Sequence, residues 1–494
     1  MVQQEHLSRQ LSFVVIGASG DLAVKKIFPA LFSLYCRGDM PDTFCCCGFA
    51  RTDMSHDAFR ALLLEHLACR YTPGEQECRA LTDAFLKRCF YVSGQYDAPE
   101  SFAALARVLE EKEKPDMPTR RLFYFSIPPF LFMPTAQSLA QASLSDDIPE
   151  KRQCRVVIEK PFGRDRASSD ELTRGLAAVF TEEQTYRIDH YLGKEVIQNM
   201  MALRFANLVF EPLWNRVNIA RVLITWMEDI GVEGRAGYFD AYGILRDVMQ
   251  NHLLQMLALT AMEEPLSLNP EYVRDEKVKV LRSAAPATLD DIVTGQYVAA
   301  SYHGTQRKGY LDEDGVPPDS ITPTYAAVAL KIRNRRWDGI PFLIRAGKGL
   351  NDRKTEIRIV FRKVPANIFA NSPNPPEANE LVIRVQPDPG ISLSFMNKKL
   401  GMPLSLQKTE LKLSYAEVFD EQTPDAYESL ILDVIKGDKS LFIRADELAA
   451  AWDVFTPVLH ALESCTIRPQ PYPFGSNGPQ SADALAALYK ADWR

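Results

Sequence analysis

Two patterns of apolar and polar positions divide the chain. In the first, short apolar runs of strand length alternate with stretches of helical periodicity. Leu11-Ser12-Phe13-Val14-Val15-Ile16 is such a run, broken at Gly17-Ala18-Ser19-Gly20, after which residues 21–31 repeat their apolar positions at helical spacing. Further strands are predicted at 43–48, 90–92, 122–127 and 155–158, with helical material such as 102–111 and 131–142 between them. Near-continuous apolar strands imply a parallel sheet covered on both faces. From Arg221 onward the pattern alternates with period two, at 221–226, 325–332, 356–361, 380–385 and 409–415. That texture belongs to an antiparallel or mixed sheet with one face packed on helices. The expected fold class is α/β plus α+β: a Rossmann-like doubly wound parallel sheet over residues 1–185, then a larger α+β domain over 186–494 with a mostly antiparallel sheet.

Where the patterns meet stands Arg187-Ile188-Asp189-His190-Tyr191-Leu192-Gly193-Lys194-Glu195, with an acid, an imidazole, a phenol and a cation in close succession. If the chain turns helical near His190, then His190, Tyr191 and Lys194 share a side and present a cationic, hydrogen-bonding face suited to an anion. Asp189 would project to one flank, available to a catalytic base. A solvated helix start accounts for the same residues equally well. Residues 244–256 form a second helical segment, with His252 on its apolar stripe beside Leu245, Val248, Met249 and Met256. A single histidine there is more often a satisfied core residue than a catalyst.

The Gly17–Gly20 turn between a strand and a helix is the arrangement that lets backbone approach a pyrophosphate at a helix N-terminus. Its G-x-x-G spacing is shorter than the full dinucleotide fingerprint. Arg51, just past the second strand, stands where an acid would accept ribose hydroxyls and suits a 2′-phosphate instead. Tyr124 and Glu159-Lys160 fall at the carboxyl ends of strands, where ligands of open parallel sheets bind.

Composition narrows the partners. A chain of 494 residues with 46% hydrophobic and 24% charged residues is an ordinary globular protein of about two domains. Its net charge of -7 supplies no general cationic field for nucleic acid or an anionic membrane, so an anionic ligand must meet a local cluster. No apolar run approaches a membrane span, and the polar N-terminus leaves no room for a signal peptide's apolar region, so a cytoplasmic location is expected. Nine cysteines lack zinc spacing, and the adjacent Cys45, Cys46 and Cys47 face alternately across a strand, which suits small buried thiols and no metal site.

Six ordered stretches together resemble the glucose-6-phosphate dehydrogenases along nearly the whole chain: Gly17 to Ala23, Ile158-Glu159-Lys160-Pro161-Phe162-Gly163, Arg187 to Glu195, Glu233 to Asp240, Arg246 to Leu254, and Arg345 to Asn351. The resemblance implies oxidation of D-glucose 6-phosphate at C1 to 6-phospho-D-glucono-1,5-lactone, with hydride passing to NADP, the entry step of the oxidative pentose phosphate pathway. It implies His252 as the base and Asp189 as its partner. It places Lys160, His190, Tyr191, Lys194, Glu228, Asp247, Lys348, Arg353 and Gln386 on the substrate, His190, Tyr191, Lys194, Lys348 and Arg353 at its phosphate. For the cofactor it implies Gly17, Ala18, Ser19, Gly20, Asp21, Leu22, Ala23, Arg51, Tyr124 and Lys160. A cis Lys160–Pro161 bond and a homodimer or dimer of dimers are implied too. Arg345, Lys354 and Arg384 match part of a second, structural NADP site found in some members. Ser392, Ser394 and Asn477 depart from it, so no tightly held second NADP is expected. The rivals are a sugar dehydrogenase with another hexose phosphate or NAD, and a non-catalytic redox sensor built on Cys45–Cys47.

Overall fold

The computed structural model describes residues 9–493 apart from 72–73, 373, 402–403 and 420–422, so residues 1–8 of the polar N-terminus lie outside the described part. Strands β1 (Gln10–Ile16), β2 (Phe44–Ala50), β3 (Cys89–Ser93), β4 (Thr119–Phe125), β5 (Arg152–Ile158) and β6 (Thr185–Arg187) form one sheet in the order β3-β2-β1-β4-β5-β6. All its pairings are parallel. The order reverses between β1 and β4, and that switch point opens a crevice at the strand carboxyl ends. The division drawn after residue 185 passes through β6, which pairs with β5 as the outermost strand.

Strands β7 (Ile219–Met227), β8 (Ile292–Val298), β9 (Ala300–Tyr302), β10 (Thr305–Arg307), β11 (Tyr325–Lys331), β12 (Pro341–Gly347), β13 (Lys354–Phe361), β14 (Glu380–Gln386), β15 (Gly390–Lys398), β16 (Leu406–Ser414) and β17 (Gln470–Pro473) follow. All but the β9–β10 hairpin join a sheet ordered β16-β15-β14-β13-β7-β12-β11-β8-β17. It is antiparallel except where β12 meets β7 and β17 meets β8. The predicted strands are there. β8, β9, β10, β12, β15 and β17 were not anticipated: β12 is apolar without alternation, and β9, β10, β15 and β17 carry too few buried positions to show a period.

Two local features bear on the site. The helix Ala426–Lys436 of the second domain lies across the first, with its C-terminal carbonyls gripped by arginines of the parallel sheet: Arg120 and Arg155 both donate to the Ile435 carbonyl, at 2.5 and 3.0 Å. Cations at a helix C-terminus are favoured by its dipole. Near its other end Lys26 pairs with Asp425 at 3.2 Å, while Arg70 and Tyr71 hold Glu428 at 3.0 and 2.7 Å. Cys45, Cys46 and Cys47 are free thiols, the last two buried, whereas Cys69 and Cys78, which the sequence reading left unpaired, form a disulfide.

Candidate active site

The joining segment is shaped by hydrogen bonds made to its own side chains. Ile188 donates its N–H to the Ile158 carbonyl, continuing β6 beside β5, and buried Arg187 is spent on Glu182 at 2.8 Å. The helix expected near His190 begins only at Glu195. Asp189 prevents an earlier start, because its carboxylate accepts the Tyr191 N–H at 2.9 Å and so holds a turn. Gly193 then passes under the Ala426–Lys436 helix, where a Cβ would stand 2.4 Å from the Ala426 carbonyl oxygen. No other residue fits that approach.

The second helical segment also departs from expectation. Residues Leu245–Leu253 form a π-helix, followed by α-helix at Leu254–Ala261. Asp247 and His252 are five apart, the hydrogen-bond repeat of a π-helix, so both turn toward the same crevice. On an α-helix they would diverge.

His252 Nδ1 meets Asp189 Oδ1 at 2.5 Å, and the two residues are 2% and 1% exposed. Burial alone would raise the Asp189 pKa, but His252, His190 and the Tyr191 N–H together hold it down at about 2. Burial also lowers the His252 pKa, against the opposing pull of Asp189. The pair is therefore a carboxylate and a neutral imidazole, with the free Nε2 left to take a proton. Donor atoms of Asp189, His190 and His252 lie within 4.8 Å of one another. The direct Nδ1–Oδ1 contact is nevertheless a hydrogen bond, closer than two ligands of one ion stand. Around the dyad, Tyr191 stacks on His252 with ring centroids 4.5 Å apart, and His190 meets it edge-on at 4.6 Å.

The expected substrate residues converge on this corner with distinct partners. Lys160, at the end of β5 and followed by a cis Pro161, donates to the Asp247 carbonyl and carboxylate at 2.8 and 3.0 Å. Lys194 donates to Gln386 at 2.8 Å and lies above the Tyr191 ring. Burial lowers its pKa, and Arg353 and Lys26 add repulsion that Asp425 offsets. Lys348 pairs with Glu228 at 2.5 Å. Tyr191 is buried, and its hydroxyl accepts Trp226 Nε1 at 2.6 Å, which leaves the O–H to donate. Burial takes the His190 pKa well below its usual value, so it offers a neutral N–H.

On the nucleotide side Gly17 has φ +88°, and a Cβ there would lie 2.2 Å from the Ser126 carbonyl oxygen. Ser19, Gly20 and Asp21 are exposed at the turn, while Ala18 and Ala23 are buried as spacers and Leu22 is half-buried. Arg51 is exposed over the Tyr96 ring, and Ser19 and Thr52 hydroxyls face each other at 3.3 Å. Backbone cradle and exposed guanidinium fit a dinucleotide bearing a 2′-phosphate. Tyr124 requires a correction. Its side chain is wholly buried and its hydroxyl donates to Glu159 at 2.5 Å, so it offers no surface to a cofactor. The ring packs against Phe13 of β1, with centroids 6.4 Å apart.

Sequence reasoning missed Tyr427, whose ring lies parallel to His190 at 6.3 Å. No local pattern marks it, since it comes from the far end of the chain. Of the set matched to a second nucleotide site, Arg345 is buried beneath the Trp493 ring, Arg384 pairs with Glu356 at 3.2 Å, and Lys354 lies 3.8 Å from Asp352.

A doubly wound sheet with a glycine cradle, set against a buried His–Asp pair and flanking lysines, defines a dinucleotide-dependent dehydrogenase of an anionic substrate. Comparison with known proteins makes this specific. Residues 14–199 match the model of the glucose-6-phosphate dehydrogenase NAD binding domain, and residues 201–494 that of the C-terminal domain. The chloroplastic glucose-6-phosphate 1-dehydrogenase 1 of Arabidopsis thaliana is 51% identical over 99% of this chain and 85% of its own length. The cytoplasmic isoform 6 of the same plant is 46% identical over 96% and 90%. A solved glucose-6-phosphate dehydrogenase in complex with its substrate glucose-6-phosphate superposes with a TM-score of 0.92 at 42% identity, covering 99% of both chains. The Mycobacterium avium enzyme gives 0.82 at 34%, covering 98% of this chain and 99% of its own. The chain belongs to the glucose-6-phosphate dehydrogenase family.

Proposed function

We propose that the buried dyad and the lysine-lined crevice divide between them the oxidation of glucose 6-phosphate at C1 to the 1,5-lactone. The contact that carries this reading is His252 Nδ1 to Asp189 Oδ1, with Lys160 and Asp247 beside it. Hydride leaves C1 only as the C1 hydroxyl loses its proton, so a base near neutral pKa must face that hydroxyl. His252 Nε2 takes the proton, and Asp189 orients the ring and stabilises the imidazolium as it forms. Lys194, His190 and the Tyr191 hydroxyl hold the phosphate, with Arg353 completing the charge. Glu228 and Asp247, each tied to a lysine, accept from the sugar hydroxyls, and Gln386 joins Lys194 at the rim. Residues 17–23 and Arg51 would hold NADP, which accepts the hydride.

The same reading makes the chain the entry point of the oxidative pentose phosphate pathway. A dimer is supported by Leu411 and Leu413, 66% and 38% exposed on edge strand β16, a surface that seeks cover. Among the described residues no helix is long and apolar enough to cross a membrane. Relatives carry both chloroplastic and cytoplasmic names. The deciding assay is NADPH formation from glucose 6-phosphate by wild type and His252→Ala. Loss of roughly 10²-fold or more in kcat is expected for removal of a general base. An unimpaired variant would mean that the base is another group.

A further inference from the structure

The π-helix that turns Asp247 and His252 toward one crevice carries a further polar residue, which the chemistry above does not use. Asn251 is 8% exposed and directly precedes the base. Its carboxamide bonds in both directions along the helix. Nδ2 donates to the Arg246 and Asp247 carbonyls, each at 3.1 Å, and Oδ1 accepts the His252 N–H at 2.6 Å. These partners are backbone groups of fixed polarity, so only one orientation of the amide satisfies them. One side chain thereby joins the residue that meets the sugar to the residue that takes the proton.

Packing alone does not call for an amide at this place. A leucine of nearly the same size would fill it without the cost of drying a polar group. Asparagine is also a poor helix former, because its side chain competes with the backbone for hydrogen bonds. Here that competition falls on the turn that carries the site, and π-turns are rare and concentrate at functional sites. The Asp247 end of the turn is moored from outside. Lys160 donates to the same Asp247 carbonyl at 2.8 Å, while the Arg246 side chain reaches the Arg164 carbonyl at 2.7 Å and Glu463 at 2.6 Å. Asn251 carries that mooring on to the backbone of His252. Asp189 holds the ring of the base, and Asn251 holds the peptide from which the ring hangs.

We infer that Asn251 is a positioning residue for the oxidation: its amide sets the spacing between Asp247 and His252, so that a sugar held by the first presents its C1 hydroxyl to Nε2 of the second. The inference rests on His252 being the base and Asp247 meeting the sugar. Being neutral, Asn251 acts on the distance over which the proton moves and leaves the proton affinity of the imidazole alone. Small misplacements of reacting groups are costly in rate.

Asn251→Leu keeps the volume and removes both ends of the bridge. On the plateau above the acid limb, kcat should fall roughly tenfold and KM for glucose 6-phosphate should rise roughly threefold. The acid limb of kcat/KM should stay within about 0.2 pH units of wild type, since no charge has changed. Asn251→Asp keeps the acceptor for the His252 N–H and turns a carboxylate on the two carbonyls. Its KM should rise as in the leucine variant, with a smaller loss of kcat, and it serves equally if the leucine variant does not fold. Melting temperatures taken alongside separate positioning from stability. A folded Asn251→Leu that melts earlier with wild-type kcat and KM overturns the inference, as does a displaced acid limb in that variant or a wild-type KM in Asn251→Asp. His252→Ala separates the two readings. If it is unimpaired, the base assignment and the role of Asn251 fall together. If it is impaired while folded Asn251→Leu is not, only the role of Asn251 fails.

Discussion

Asp189 and Lys194 stand five residues apart in one turn of chain, yet they work under opposite electrostatic conditions. Asp189 is 1% exposed, and its charge is answered from within the protein by the ring of His252 and a backbone N–H. Lys194 is half-buried, bonded to the neutral Gln386 and crowded by Arg353 and Lys26. In a dry site each charge acts strongly on its neighbours and must be neutralised locally. At the rim, the charge of Asp425 stands against those of Lys194, Arg353 and Lys26, which leaves positive charge for the ligand to complete. The dyad corner therefore tunes chemistry and the rim selects a dianion, which predicts different kinetic signatures for substitutions at the two ends.

The largest effect that tests this contrast belongs to Asp189→Asn. Its expected loss is about 10²-fold in kcat, because the imidazole loses both its orienting partner and the anion that stabilises its protonated form. The sign of the pH effect follows. Asp189 raises the His252 pKa against burial, so without it the acid limb of kcat/KM moves to lower pH. A pH profile of the variant checks this, and a limb moving to higher pH would break the assignment. Lys194→Ala should act at the other end: KM for glucose 6-phosphate rises by roughly tenfold, the worth of one charge-assisted hydrogen bond, with kcat changed far less. If kcat fell as steeply as it does in Asp189→Asn, the two regions would not be separable.

How much of this could be read from the chain alone differs between the same two regions. The glycine cradle, the strand alternation and Arg51 are local patterns, and local patterns survive in sequence. The nonapeptide announced an anion face, but its helix was misplaced. The Asp189 side chain captured a backbone N–H, and Gly193 yielded to another helix, which are tertiary facts. The π-helix was likewise invisible, since one hydrophobic stripe serves both helical forms over so short a stretch. Tyr124 was assigned to the cofactor from its position at a strand end, while its direction into the sheet depends on neighbours the sequence does not name. Tyr427 and the Lys348–Glu228 pair join residues more than a hundred positions apart. Only the fold brings them together.

A smaller effect sharpens the contrast on the nucleotide side. Arg51 is exposed over the Tyr96 ring, so like Lys194 it holds a charge for a ligand to answer. Arg51→Ala should lower kcat/KM for NADP by roughly tenfold and leave that for NAD near wild type. Equal losses with both nucleotides would mean that the guanidinium stacks on adenine instead of meeting a phosphate.

The smallest effect is an expected absence of binding, and it follows from the same rule applied elsewhere. The cations on the large sheet that match a second nucleotide site are already engaged: Arg384, though exposed, by an acid, and buried Arg345 by a ring. Glu356, 2% exposed, takes Arg358 at 3.0 Å and Arg384 at 3.2 Å, and Trp493 covers Arg345. A phosphate entering there would have to displace an acid already paired and a ring already packed, and Ser392 and Ser394 bring no charge in return. Calorimetric titration of nucleotide-free protein with NADP should therefore give a single site per chain, and Arg384→Ala should leave both stoichiometry and affinity unchanged. Two sites, or one lost with Arg384, would show that internal pairing does not keep a ligand out, and the division between answered and unanswered charge would fail as a guide to where this chain binds anions.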